Sequence, residues 1–112
     1  MKKTESLKKN SDFQHVFKMG KTKGSGILVA FVVPNGLAIN RLGVTVSKKM
    51  GKAVTRNLLR RRIKEAFRSF EQELVGGHDI VILPRPDLAC AGFSEIVKTL
   101  RYLMRKQGLM NG

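Results

Sequence analysis

Tryptophan is absent, and tyrosine and cysteine occur once each, in a chain of 112 residues. A lone cysteine, Cys90, closes no internal disulfide and holds no structural zinc, which predicts a reducing compartment. With no basic neighbour in sequence, it reads as a small packed residue. No apolar run approaches the roughly 18 residues of a membrane span. The basic start, Met1-Lys2-Lys3-Thr4-Glu5-Ser6, leads into no apolar stretch, so no secretory signal is expected and the cytoplasm is the predicted location. Catalytic groups are also sparse. His15 and His78 lie far apart without metal-type neighbours, and Glu71, Glu73, Asp79 and Asp87 form no paired-carboxylate pattern. The chain reads as a binder.

Acids are the scarcest class relative to their counterparts. Against 22 Lys+Arg stand 8 Asp+Glu, a net charge of +14. Self-repulsion on that scale calls for a polyanionic partner, and nucleic acid is the default. An anionic membrane is the rival, but it needs a basic amphipathic helix with large exposed apolar residues. The cations are clustered. Between Lys48 and Arg68 lie Lys48, Lys49, Lys52, Arg56, Arg60, Arg61, Arg62, Lys64 and Arg68, opposed only by Glu65. A second cluster runs from Lys2 to Lys23, and a third comprises Lys98, Arg101, Arg105 and Lys106.

An apolar share of 42% suffices for one core, so residues 1–112 are read as a single domain. Residues 1–9 read as a basic arm. Ser11-x-x-Gln14 has the spacing of a capping box, and Phe13, Val16 and Phe17 then share a helical face up to Gly20. Ile27 to Val33 is a β-rich run ended by Pro34-Asn35-Gly36. Arg41 to Val46 is a second strand, close enough to pair with it antiparallel. From Thr55 to Leu74 the period becomes helical, with Leu59, Ile63, Ala66, Phe67, Phe70 and Leu74 in one arc. Asp79 to Pro84 is a further strand. Phe93, Ile96, Val97, Leu100, Leu103 and Met104 define a last amphipathic helix. The order α-β-β-α-β-α predicts an α+β sandwich on a small mixed sheet, and the β-α-β unit defaults to a right-handed crossover.

The middle helix carries the functional argument. With its apolar arc inward, Asn57, Arg61, Lys64 and Arg68 lie on the far side, while Arg60 and Arg62 flank the stripe. Few acids stand one turn away to neutralise them. A solvated surface helix would alternate Glu and Lys, so a phosphate track is the stronger reading. Ser47-Lys48-Lys49-Met50-Gly51-Lys52 brings a basic loop into the helix N-terminus, but its glycine spacing is not that of a P-loop, so nucleotide hydrolysis is not indicated. Core packing is the better prior for each Phe taken singly. Yet Phe13, Phe17 and Phe31 could also leave rings in a cleft where bases stack.

The stretch Arg41-Leu42-Gly43-Val44-Thr45-Val46-Ser47-Lys48-Lys49-Met50-Gly51-Lys52, continued by Ala53-Val54-Thr55-Arg56-Asn57-Leu58-Leu59-Arg60-Arg61-Arg62-Ile63-Lys64-Glu65, resembles the signature of the bacterial ribonuclease P protein component. Leu7 to Gly20 resembles that family's N-terminal segment, and the likeness covers essentially the whole chain. The resemblance implies the small subunit of a ribonucleoprotein endoribonuclease that removes the 5′ leader from precursor tRNA. Its RNA subunit would do the chemistry and hold the Mg²⁺ ions. It implies catalytic-RNA contacts at Arg56, Asn57, Arg60, Arg61, Lys64 and Arg68, and leader contacts at Phe13, Phe17, Phe31, Lys48, Lys49 and Lys52. No membrane and no small-molecule substrate belong to this reading. It also implies a left-handed crossover, contrary to the default. The chain departs from the family at Leu58, where a third basic residue is common, and at Phe31, where tyrosine is often found. The rival reading from charge alone is a ribosomal or RNA-assembly protein, and a stand-alone nuclease lacks the acids it would need.

Overall fold

A computed structural model of the protein describes residues 4–110. Five strands form one mixed sheet: β1 (Glu5–Ser6), β2 (Lys21–Gly24), β3 (Leu28–Pro34), β4 (Arg41–Val44) and β5 (His78–Pro84), in the order β1-β4-β5-β3-β2. Helices α1 (Asn10–Met19), α2 (Ala53–Arg68) and α3 (Phe93–Lys106) complete the α+β sandwich. β4 and β5 are parallel neighbours joined through α2, and β3 pairs antiparallel with β5 on its other side.

Strand alternation divides the sheet into two unlike faces. Leu28, Ala30 and Val32 of β3, Leu42 and Val44 of β4, and Ile80 and Ile82 of β5 are buried beneath α2 and α3 in the main core. From the helices come Leu59, Ile63, Phe67, Ile96, Leu100 and Leu103. Phe67 is fully buried, and truncating such a ring costs about 3–5 kcal/mol. The other face carries Val29, Phe31 and Val33 with Val81, and α1 covers only part of it through Phe13, Val16 and Phe17. A thick core on one side and a partial cover on the other create the cleft.

Several expectations need correcting. β3 and β4 do not pair with each other, because β5 is inserted between them. Ser11 does not cap α1. The N-cap is Lys9, which makes no side-chain cap bond. Residues 4–9 do not form a free arm: Glu5–Ser6 pair in parallel with Arg41–Leu42, and Leu7 is buried. Lys2 and Lys3 of the expected arm lie outside the described residues. The middle helix ends at Arg68, and a 3-10 turn at Glu71–Glu73 lets Phe70 and Leu74 stay in the core beyond it. Cys90 is exposed, because the 3-10 turn Pro86–Cys90 points Leu88 inward instead.

Candidate nucleic-acid interface

α2 inserts Leu59, Ile63, Ala66 and Phe67 into the core, which turns the intervening positions to solvent. Asn57, Arg61, Arg62 and Arg68 are exposed, and Arg56, Arg60 and Lys64 are half-buried. Asn57, Arg60, Arg61, Lys64, Glu65 and Arg68 line a shallow groove of about 390 Å³. Among the described residues the ion pairs are Arg41–Asp12, Arg41–Asp79 and Arg101–Glu73, so no carboxylate is spent on this helix. The polar contact within the groove is Arg60 Nη1 donating to Asn57 Oδ1 at 2.7 Å. Arg56 also keeps a buried Nε with no hydrogen-bond partner among the described residues. Leu58 is 37% exposed, one turn before the exposed Arg62 on the same strip of helix, so a cation stands close to where the basic residue is missing.

The second surface lies across the sheet. Phe13, Phe17 and Phe31 are all half-buried, and Phe17 meets Phe31 edge-to-face with ring centroids 5.0 Å apart. Sheet register carries the floor past α1 through the row Val29, Leu83 and Thr45, each half-buried. Beyond Thr45 the chain reaches Ser47, whose Oγ accepts the Lys49 N–H at 3.2 Å and starts the 3-10 turn Lys48–Met50. That turn sets the exposed Lys48 and Lys49 at the end of the row, and exposed Lys52 immediately precedes α2. The structure thus groups Phe13, Phe17 and Phe31 directly, while Lys48, Lys49 and Lys52 lie on the exposed segment that joins the end of β4 to α2.

The closeness of α1 to the sheet rests on Gly43. A Cβ there would stand 2.5 Å from the Phe13 ring. Arg41 ties this same N-terminal end of α1 to the sheet. It donates through Nε and Nη2 to Asp79 at 2.8 and 2.6 Å, and its Nη1 lies 3.7 Å from Asp12 of α1. Burial pushes the Asp79 carboxyl up, but hydrogen bonds from Arg41 and Asn35 and the Arg41 charge outweigh it, holding the group below the ordinary carboxylate range. The Arg41 guanidinium is correspondingly held more firmly protonated, first through its hydrogen bond to Asp79.

A hollow of about 650 Å³ was not foreseen. Lys8, Lys9 and Arg68 share its wall with Arg41, Asp12 and the β1 backbone. It connects the N-terminal basic cluster to the far end of the α2 face. The Lys8-Lys9 pair was visible in the sequence, but only the pairing of β1 with β4 shows that it reaches Arg68. Among the described residues no group of three or more His, Cys, Asp or Glu could hold a metal ion, and no helix is long and apolar enough to cross a membrane.

Comparison with known proteins identifies the family and the fold. The family model described as Ribonuclease P matches residues 1–108. The ribonuclease P protein component of Alkaliphilus metalliredigens is 38% identical over 111 residues, spanning 99% of this chain and 100% of that protein. That of Clostridioides difficile is 41% identical over 105 residues, covering 93% and 92% respectively. Among solved structures, the Staphylococcus aureus RNase P protein superposes with a TM-score of 0.86 at 30% identity, covering 97% of this chain and 100% of that one. The Thermotoga maritima RNase P protein gives 0.83 at 33% identity, covering 91% and 96%. With a family model spanning nearly the whole chain, and sequence and fold both agreeing, the chain belongs to the ribonuclease P family as a protein component of that endoribonuclease.

Proposed function

We propose that this protein binds the catalytic RNA of ribonuclease P through the outer face of α2 and the single-stranded 5′ leader of precursor tRNA through the cleft beneath α1, in the cytoplasm. The observation that carries the proposal is the separation of two unlike surfaces on opposite sides of one sheet. Arg56, Arg60, Arg61, Lys64 and Arg68 have no carboxylate partners among the described residues, which suits the folded backbone of a large RNA. The half-buried rings of Phe13, Phe17 and Phe31, ending at Lys48 and Lys49, suit unpaired bases on a basic track.

In this reading the Mg²⁺ ions belong to the RNA, and the protein's role is electrostatic, carried by the exposed cations of α2 and of Lys48, Lys49 and Lys52. Cations between leader and catalytic RNA reduce phosphate repulsion, which tightens substrate binding and lowers the Mg²⁺ concentration required. The test compares precursor and mature tRNA affinity for the RNA subunit, with and without the protein. The protein should favour the precursor selectively, and Phe17→Ala should diminish that preference. An equal gain for both substrates refutes the leader assignment.

A further inference from the structure

The third basic cluster has no part in the function proposed above. In α3, Ile96, Leu100, Leu103 and Met104 face the core, which turns Lys98, Tyr102 and Arg105 outward at i, i+4 and i+7, with Lys106 beside them. All four are exposed, Tyr102 by 47%. The Lys106 ammonium lies 5.6 Å from the Tyr102 ring centroid. Arg101 is already committed, since its two terminal nitrogens each donate to Glu73 at 2.8 Å. Lys98, Arg105 and Lys106 have no ion pair among the described residues, and Glu95 is the only acid in the helix.

A merely solvated helix face would mix charges of both signs and gain nothing by exposing an aromatic ring. A ring surrounded by unpaired cations instead matches a base-stacking platform with phosphate contacts on either side. α3 contacts β3 and β2 on the same sheet face that α2 covers, whereas the leader cleft opens on the opposite face. Whatever RNA lies over α2 is therefore next to α3.

We propose that the outer face of α3 is a further RNA-binding surface, on which Tyr102 stacks an unpaired nucleotide of the ribonuclease P RNA subunit while Lys98, Arg105 and Lys106 contact the flanking phosphates. This rests on α2 binding that same RNA.

Tyr102 is the only tyrosine in the chain, so nitration by tetranitromethane, read by peptide mass spectrometry, reports this site alone. Saturating RNA subunit should slow nitration at least about tenfold. Tyr102→Phe should bind the RNA as the parent does, whereas Tyr102→Ala should weaken binding by about fivefold or more. Lys98→Gln should reduce the salt dependence by about one phosphate contact. Nitration at the free-protein rate while the RNA is demonstrably bound overturns the proposal and leaves the α2 reading standing. So does protection without loss of affinity in Tyr102→Ala. Protection that arises only when leader-bearing precursor is added moves the occupant to the leader and also overturns it. Failure of the RNA subunit to bind at all overturns both readings.

Discussion

Gly43→Ala tests how closely α1 must sit on the sheet for the cleft to exist. The added methyl would lie 2.5 Å from Cε1 and Cζ of Phe13 and 3.3 Å from Leu7 Cβ. Carbon atoms pack best at about 3.5–4.0 Å, so the ring must retreat by roughly 1 Å. β4 is extended at this position, so backbone conformation adds no cost and the effect is steric. Overpacking of this kind costs about 1–3 kcal/mol, which for a domain of this length lowers Tm by roughly 4–12 °C. Tilting α1 also displaces Phe17 from Phe31, so selectivity for precursor over mature tRNA should fall further than affinity for the RNA subunit. The measurement is thermal unfolding of Gly43→Ala in the parent and in a Phe13→Ala background. Truncating Phe13 provides the missing space, so the second alanine should there cost close to nothing. An unchanged Tm in the parent background, or equal costs in both, would refute the close-contact reasoning.

Exchanging Arg61 and Lys64 together for Gln should lower the slope of log affinity against log salt by about 2 for the RNA subunit, with Tm nearly unchanged, since neither side chain has an ion-pair partner to lose among the described residues. An unaltered slope would remove these residues from the interface. Because the folded carboxyl of Asp79 is held below its ordinary value of 3.8, the unfolded chain takes up that proton first. The stability that Asp79 contributes is therefore complete above about pH 5 and declines as pH falls through about 4 and below, as followed by denaturant midpoints. Arg41→Met leaves the Asp79 carboxylate, whose side chain is 5% exposed, without its cation. It should cost about 2 kcal/mol at neutral pH, discounted for the partial exposure of Arg41, and weaken the decline in acid.

The elements legible in the sequence were those whose burial leaves a periodic trace. The middle helix is the clearest case: Leu59, Ile63, Ala66 and Phe67 recur at helical spacing and define α2, and with it the outward cations. The alternation of β3 and the apolar run of β5 were equally readable. β1 and β2 were not, because Glu5–Ser6 and Lys21–Gly24 are short polar edge strands with nothing to bury. The insertion of β5 between β3 and β4 depends on contacts between residues far apart in sequence, which no local pattern encodes. At the candidate site, residue types alone could not separate core from cleft for Phe13, Phe17 and Phe31. Their half-burial follows from α1 being too short to cover the whole sheet face opposite α2 and α3. Nor could Lys8 and Lys9 be joined to Arg68 until β1 was seen to anchor the N-terminal segment beside β4.

The assignment of α2 is tested most directly by lysine acetylation footprinting of the protein with its RNA subunit. Lys64 should become protected when the RNA subunit alone is saturating, while Lys48 and Lys49 should gain protection mainly on addition of leader-bearing precursor tRNA. Acetylation of Lys64 at the same rate in free protein and in the saturated complex would contradict the account.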